Sequence, residues 1–295
     1  MNPSLSWNLL DDLQQLLAFH FMVNALIAGS VAALVAGPVG YLMVLRRQTF
    51  VGHTLALIGF PGAAAATLLS LDVTFGYFAF CLAGALIIAA VPTGGRAAGA
   101  VAEESAVIGL VQATALGLGF FFVNLYHGFL SGMNNLLFGT IIGVSDNDVR
   151  VLLIAGVACL LTLLLLGRRI LFVTVDPDVA AAQGLRVRLL GAAFLLLLGT
   201  AAAGASQVTG SLLIFALLVA PAAAAVRLTA RPALGMALAA VIGLAVVWLG
   251  AGIAYFSPYP IGFWVTTFGF GAFVLATLFR AGMDGRRRRV RVVAA

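Results

Sequence analysis

The chain has 295 residues, of which 63% are hydrophobic and 9% are charged, and its mean hydropathy is +1.14. About a quarter of the residues in soluble globular domains are charged, so this composition excludes an ordinary soluble domain. The net charge is +6 and all 16 basic side chains are arginine, which excludes a Walker A motif and a Schiff-base lysine because both need lysine.

Nine apolar segments follow one another along the chain, and a crossing of the bilayer takes about 20 helical residues. They lie at 21–45, 54–70, 73–92, 105–126, 149–167, 189–204, 210–227, 232–256 and 260–280. The sequence therefore predicts an all-α fold, a polytopic membrane bundle of about nine transmembrane helices. A count of eight is the alternative, with the chain between 51 and 72 re-entrant.

The arginines predict the orientation of this bundle, because basic residues beside spans stay on the cytoplasmic side. If the N-terminus is outside, every arginine except Arg150 falls on the inner side, and so does the C-terminus. Residues 1–20 are then an extracytoplasmic or interfacial segment, 21–280 the membrane domain and 281–295 a basic cytoplasmic tail. A basic run directly beside a span indicates contact with membrane lipids and not with nucleic acid.

Two patterns inside the spans predict packing and a pathway. Small residues recur at every fourth position in four spans, as in Gly109, Ala113 and Gly117, and such ridges let helices approach closely. The second, sixth and seventh spans are short or have interruptions, at 61–62 and 206–207. Broken helices of this kind border water-filled paths, so these three spans are predicted to line one.

No enzymatic or cofactor-binding constellation is found in the sequence. The three histidines, His20, His53 and His127, are far apart and form no HExxH motif, and there is no GxSxG nucleophile motif. The predicted spans contain no aspartate or glutamate, whereas ion-coupled transporters place ionisable side chains there. The sequence therefore disfavours an enzyme and an ion-driven transporter.

A short cytoplasmic helix is predicted near 176–184, between the fifth and sixth spans. Asp176 is a suitable N-cap, Pro177 fits the first helical position, and Asp178 interacts favourably with the positive end of the helix dipole. Gly184 can end the helix in a left-handed conformation. We interpret this helix as a docking element for a partner protein.

Four stretches of the sequence together resemble a known family. They are LRRQTFVGHTLALIGFPG at 45–62, LLFGTIIGVSDNDV at 136–149, VDPDVAAAQG at 175–184 and SQVTGSLLIFALLVAPAAAA at 206–225. In sequence and order they are similar to the integral-membrane permeases of bacterial zinc, manganese and iron ABC importers. The resemblance implies a homodimer in the bacterial plasma (inner) membrane, paired with a separate cytoplasmic ABC ATPase and an extracytoplasmic metal-binding protein.

The resemblance also implies roles for two sets of residues. The first set would couple the permease to the ATPase and consists of Asp176, Pro177, Asp178, Ala180, Gln183 and Gly184. The second set would line the pathway and consists of Gly52, Thr54, Pro61, Gly62, Ser206, Gln207, Thr209, Gly210, Ser211 and Pro221. A divalent metal ion is implied as the transported substrate, and no cofactor is implied.

One position departs from the family pattern. Relatives typically carry an acidic residue and a histidine one helical turn apart in the first stretch, whereas this chain has His53 and Leu57 at the matching positions. His53 is then a lone metal ligand that is doubled across a symmetric dimer, a polar lining residue, or a structural histidine. A lone nitrogen donor favours zinc, followed by manganese or iron.

The sequence thus predicts a permease subunit that imports a divalent transition metal and takes its energy from ATP hydrolysed on another subunit. Two alternatives stay open, an ion-coupled secondary transporter and a non-transporting membrane scaffold. The import direction follows from the resemblance alone.

Overall fold

The computed structural model describes residues 14–91, 98–126, 144–210 and 214–293, and within these ranges the chain is helical with no strand. A helical turn at 14–17 comes first. Ten helices follow: α1 His20–Leu45, α2 Thr49–Leu68, α3 Val73–Ala90, α4 Ala98–Leu125, α5 Asp146–Val175, α6 Pro177–Ala182, α7 Val187–Thr209, α8 Ile214–Leu228, α9 Pro232–Tyr255 and α10 Ile261–Val293. The predicted all-α class is confirmed.

Nine of these helices correspond to the nine predicted spans, and α6 corresponds to the predicted short helix. In the described part of the chain, eight helices are long and apolar enough to cross a membrane. The other, α8, has 15 residues and measures about 22 Å at 1.5 Å per residue. Since the hydrocarbon core is about 30 Å thick, α8 by itself does not cover it.

The helix boundaries differ from the predicted spans in a systematic way. α5 continues to Val175 and α10 to Val293, well beyond the predicted ends at 167 and 280. Hydropathy marks only the part of a helix that suits hydrocarbon, whereas backbone hydrogen bonding continues into the polar flanks. The interruption predicted at 61–62 is wrong, because α2 runs through Pro61 without a break.

Side-chain contacts define two ends of the bundle. At the first, which we call the His20 end, His20 Nε2 lies 2.8 Å from Asp146 Oδ1 and Asn24 donates to the same oxygen at 2.6 Å. This contact joins the starts of α1 and α5. At the opposite end, which we call the arginine end, the Arg46 guanidinium after α1 lies 4.6 Å from the ring centroid of Phe194 in α7. Helix α1 thus runs from the His20 end to the arginine end, and α5 begins at the His20 end.

Helix α1 is central and packs against α5, α7, α8 and α9. Glycines permit this contact, since a Cβ on Gly37 would lie 2.5 Å from the Ala240 nitrogen and one on Gly40 would lie 2.1 Å from the Leu218 oxygen. Lipid provides no hydrophobic drive for helix association, so close backbone contact has to supply the attraction. The small residues predicted to form ridges in α1 and α9 therefore stabilise the central crossing.

Helix α4 has a different environment, because it packs mainly against α2. Its predicted ridge does not pack against the described residues, since a Cβ on Gly117 would have none of their heavy atoms within 4 Å and Ala113 is exposed. The outer face of α5 is also apolar and open, with Ile154, Leu164 and Leu165 each more than 70% exposed. Surfaces of this size and polarity require lipid or another apolar chain around them.

The contact between α2 and α3 provides a test of this packing. A Cβ on Gly76 would lie 2.2 Å from the Gly62 oxygen, so Gly76→Ala is expected to force the two helices apart. Overpacking of this kind costs about 1–3 kcal/mol. The melting temperature of the purified protein in detergent should therefore fall. The matched control is Gly117→Ala, which places the same methyl group in open space, and an equal fall in both variants would contradict the packing.

Candidate coupling and translocation site

Helix α6 is a short surface helix with a side-chain cap at its start. Asp176 Oδ1 accepts a hydrogen bond of 3.1 Å from the Val179 backbone nitrogen, and Pro177 occupies the first turn. Asp178 lies in the same turn, where the exposed N–H groups favour a negative charge. Each of these features was predicted from the sequence, and the geometry confirms them.

The end of α6 is closed by backbone hydrogen bonds around a glycine. Gly184 has φ +80°, the Leu185 nitrogen donates to the Ala180 oxygen at 3.1 Å, and the Gly184 nitrogen donates to the Ala181 oxygen at 2.9 Å. This is the Schellman arrangement, in which glycine adopts the left-handed conformation that side chains disfavour. The predicted helix end at Gly184 is confirmed.

The two faces of α6 have different surroundings. Asp178, Gln183 and Gly184 are exposed, whereas Ala180 is fully buried against the bundle. Ala180 was grouped with the docking residues, but its burial prevents direct contact with a partner, so it positions the helix instead. Val179 is 44% exposed on the outer face, and the sequence reasoning did not single it out.

Asp176 joins α6 rigidly to the long helix α5. It is the residue that ends α5, its backbone nitrogen donates to the Phe172 oxygen at 3.0 Å, and its side chain caps α6. α5 has 30 residues and measures about 45 Å. A displacement of α6 is therefore passed directly to a helix that reaches the His20 end.

At the arginine end, the first turns of α2 hold the histidine singled out from the sequence. His53 is half-buried, and Leu57 one turn further is 4% exposed. The next residue, Thr54, is fully buried and donates from Oγ1 to Gln112 Oε1 of α4 at 2.9 Å. Gln112 was missed by the sequence reasoning, although a glutamine within an apolar span is itself a readable signal.

Arg46 places a positive charge near the same end of the bundle. Its guanidinium lies over the ring of Phe194, and burial lowers its pKa to about 10. A group with that pKa is still protonated at neutral pH, so the charge is present. Its Nη1 atom is buried and has no hydrogen-bond partner in the described part of the chain. The cation–π contact with Phe194 is thus a principal interaction of this side chain.

The break between α7 and α8 lies where α7 meets α2 and α3. Ser206 is buried and its hydroxyl donates back to the Ala202 oxygen at 2.8 Å. A Cβ on Gly59 of α2 would lie 3.2 Å from Ser206 Oγ and 3.0 Å from the ring of Tyr77. Two of the predicted pathway stretches are therefore neighbours in the fold.

Gln207 has an unusual environment next to this break. Both polar atoms of its carboxamide are buried and lack a hydrogen-bond partner among the described residues. An unpaired buried amide is costly, and such a group points to a water or solute contact. α7 ends at Thr209, and Gly210 follows with φ +78°, outside the conformation of a helix. Irregular backbone within a membrane is found where it lines a cavity or is buried in protein.

The remaining predicted pathway residues fall in three places. Gly52 packs near Met43 of α1, and Gly62 lies at the crossing with α3. Pro221 lies within α8 close to Gly243 of α9. Ser211 is outside the described residues. Thus the structure brings together the stretches from α2 and α7, and it places Pro221 at the contact of α8 with α9.

No group of three metal-ligating side chains is found in the parts of the chain that the structure describes. The polar side chains near the α2–α7 contact are those of Ser206 and Gln207, one hydroxyl and one amide.

Comparison with known proteins identifies the family. Residues 18–280 match the ABC 3 transport family. The manganese import system permease protein ScaB of Streptococcus parasanguinis is 31% identical over 216 residues, which cover 73% of this chain and 74% of that protein. The manganese transport system membrane protein MntC of Halalkalibacterium halodurans is 32% identical over 243 residues, which cover 82% and 80%.

A solved structure agrees with these relatives. PsaBC from Streptococcus pneumoniae, in complex with Fab, has a chain that superposes with a TM-score of 0.80 at 27% identity, covering 90% of this chain and 94% of that one. The chain therefore belongs to the ABC 3 transport family. The resemblance to metal ABC importer permeases, the fold class and the expectation of a permease subunit rather than an enzyme are confirmed.

Proposed function

We propose that this chain is the permease subunit of a bacterial importer for a divalent transition metal, with manganese as the preferred substrate. It acts as a homodimer in the plasma (inner) membrane. A separate ABC ATPase binds at the arginine end, which faces the cytoplasm, and an extracytoplasmic metal-binding protein binds at the His20 end.

Helix α6 is the single feature that carries this proposal. It is held at both ends by capping, presents Asp178, Val179 and Gln183 outward, and is joined through Asp176 to the whole length of α5. A short capped helix of this kind offers a partner a rigid knob with a mixed apolar and acidic surface. The arginine clusters beside the spans favour a cytoplasmic location for this end.

The choice of manganese comes from the relatives and from donor chemistry. Both relatives described above are named for manganese. Thr54 and Gln112 offer oxygens between α2 and α4, and Ser206 and Gln207 offer oxygens near the α2–α7 contact. Oxygen donors suit manganese better than zinc. The zinc preference expected from a lone imidazole at His53 rests on one nitrogen, so we rank zinc second.

An incomplete donor set in one copy supports the homodimer. One copy offers a single imidazole at His53, and the described residues contain no three-ligand group that would hold an ion. A second copy related by a two-fold axis would bring a second His53 to the same path. The exposed apolar faces of α4 and α5 leave ample surface for that contact as well as for lipid.

Uptake into vesicles tests the function directly. The chain is reconstituted with its ATPase and binding protein, and Mn²⁺, Zn²⁺ and Fe²⁺ are supplied separately. We expect ATP-dependent accumulation that is fastest for Mn²⁺. The control contains the permease without the ATPase and should accumulate nothing. Uptake in that control, driven by an ion gradient, would support a secondary transporter, and no uptake of any metal by the full complex would support a scaffold.

Charge reversal on α6 tests the docking surface. Asp178→Lys replaces an exposed carboxylate by an ammonium without touching the cap, and we expect the ATPase to bind at least about tenfold more weakly, because like charges at an interface are costly. Binding is measured by gel filtration of the detergent-solubilised complex. Asp176→Asn is the matched control, since asparagine also caps helices well and should retain the complex. An intact complex with Asp178→Lys would place the docking surface elsewhere.

Two substitutions at one position separate the three roles of His53. A ligand role predicts that His53→Ala and His53→Gln both lower the apparent affinity for Mn²⁺ in uptake, by about tenfold for a lost contact of 1.4 kcal/mol. A polar lining role predicts that His53→Gln retains uptake and His53→Ala does not. A structural role predicts unchanged uptake in both variants with a lower melting temperature. We expect the first pattern. The second would leave His53 on the path without a bond to the metal, and the third would remove it from the path.

A further inference from the structure

The first turn of α5 is tied to α1 through Asp146. Asn24, which is 6% exposed, donates from Nδ2 to Asp146 Oδ1 at 2.6 Å, and His20 Nε2 lies 2.8 Å from the same oxygen. Asn24 Nδ2 also lies 3.4 Å from the Val144 oxygen just before α5. A buried amide that bonds to a carboxylate makes a stronger contact than an exposed pair does.

The same turn is tied to α3 through Asp148. The hydroxyl of Thr74, a residue that is 4% exposed, donates to Asp148 Oδ1, and the Thr74 backbone nitrogen is held at 2.7 Å by Asp72 Oδ1. Asp148 also forms a capping box with Ser145, whose hydroxyl lies 2.7 Å from Asp148 Oδ2. The Asp148 carboxylate thus caps α5 and also bonds to α3.

Below this turn lies a cavity bordered by four helices. It is lined by Val31 of α1, Phe78 of α3, Leu152 and Gly156 of α5, and Thr200 and Gly204 of α7. Leu152 is one helical turn beyond Asp148, so the cavity lies directly beneath the tied end of α5. The cavity has room for about one water molecule, so a shift of α5 at this level has to open its contacts with the neighbouring helices.

Helix α5 connects this arrangement to the opposite end of the bundle. It is helical from Asp146 to Val175 and contains no proline, and Asp176 at its end caps α6. A continuous helix without a kink site transmits displacement along its axis. Movement of α6 therefore pulls or tilts the turn that holds Asp146 and Asp148.

We propose that Asn24 and Thr74, through Asp146 and Asp148, form a latch that holds the His20 end of α5 against α1 and α3, and that movement of α6 releases it during transport. Release opens the cavity beside Gly156 to the solvent at the His20 end. The proposal rests on the proposed function, because it takes an ATPase as the source of the movement of α6. Asn24 and Thr74 are positioning residues and do not contact the metal in this scheme.

The latch is tested with a cysteine reporter inside the cavity. Thr200→Cys is a small change at a half-buried lining position, and the native Cys81 and Cys159 are buried. The complex with its ATPase is placed in nanodiscs and labelled with a membrane-impermeant cationic thiol reagent. We expect slow labelling without ATP and faster labelling with ATP. Asn24→Leu or Thr74→Val should speed labelling without ATP by about tenfold, the effect of losing one hydrogen bond to a charged group.

Two controls separate a latch from general loosening of α5. Ser145→Ala removes the capping-box hydroxyl and leaves the interhelical bonds of Asn24 and Thr74, so its labelling rate should equal that of the reporter alone. Thr74→Ser restores the hydroxyl and should restore slow labelling. Equal acceleration by Ser145→Ala, or unchanged rates in Asn24→Leu and Thr74→Val, would overturn the proposal. Gel filtration confirms that each variant retains the complex.

The readout also separates this proposal from the proposed function. Labelling requires no transport. A wild-type complex that accumulates no metal would therefore refute the importer, and the labelling rates of the latch variants could still be compared. Conversely, normal uptake together with unchanged labelling would refute the latch alone.

Discussion

The structure depends on the requirement that every backbone N–H and C=O group inside a membrane finds a partner within the protein. Long continuous helices meet this requirement, and eight of the described helices are long enough to cross the bilayer. Departures from the helix are therefore informative. The departure at Gly210 follows Ser206, which is buried next to Gly59 of α2, and Gln207, whose polar atoms are buried. A chain under this constraint would not retain such a break without a surrounding of protein or water.

The same constraint explains why small residues matter so much in the core. With hydrogen bonds satisfied inside each helix, association depends on close contact, which Gly37 and Gly40 allow on α1 and Gly62 and Gly76 allow between α2 and α3. Not every row of small residues forms such a helix contact. The ridge in α4 is exposed, which shows that a four-residue spacing permits close packing without specifying a partner.

Mechanical continuity is the second consequence of long helices. α5 has no proline, is capped by Ser145 and Asp148 at one end, and ends at Asp176, which also starts α6. One rigid element thus connects the exposed knob at the arginine end with the polar contacts at the His20 end. The electrostatic setting differs at the two ends, because carboxylates and hydrogen-bond donors meet at one and the cation of Arg46 stacks on an aromatic ring at the other.

The sequence by itself determined the helical class, the nine apolar segments, the capped helix from Asp176 to Gly184 and the membership of a permease family. Each of these features depends on the composition and residue spacing of one segment of the chain, so it can be read without knowing what that segment contacts. The tertiary structure decided which residues meet. It joined Gly59 to Ser206, placed Gln112 against Thr54, buried Ala180 and put Pro221 beside Gly243 of α9. Contacts between distant helices depend on crossing geometry and side-chain shape, and no local pattern encodes them.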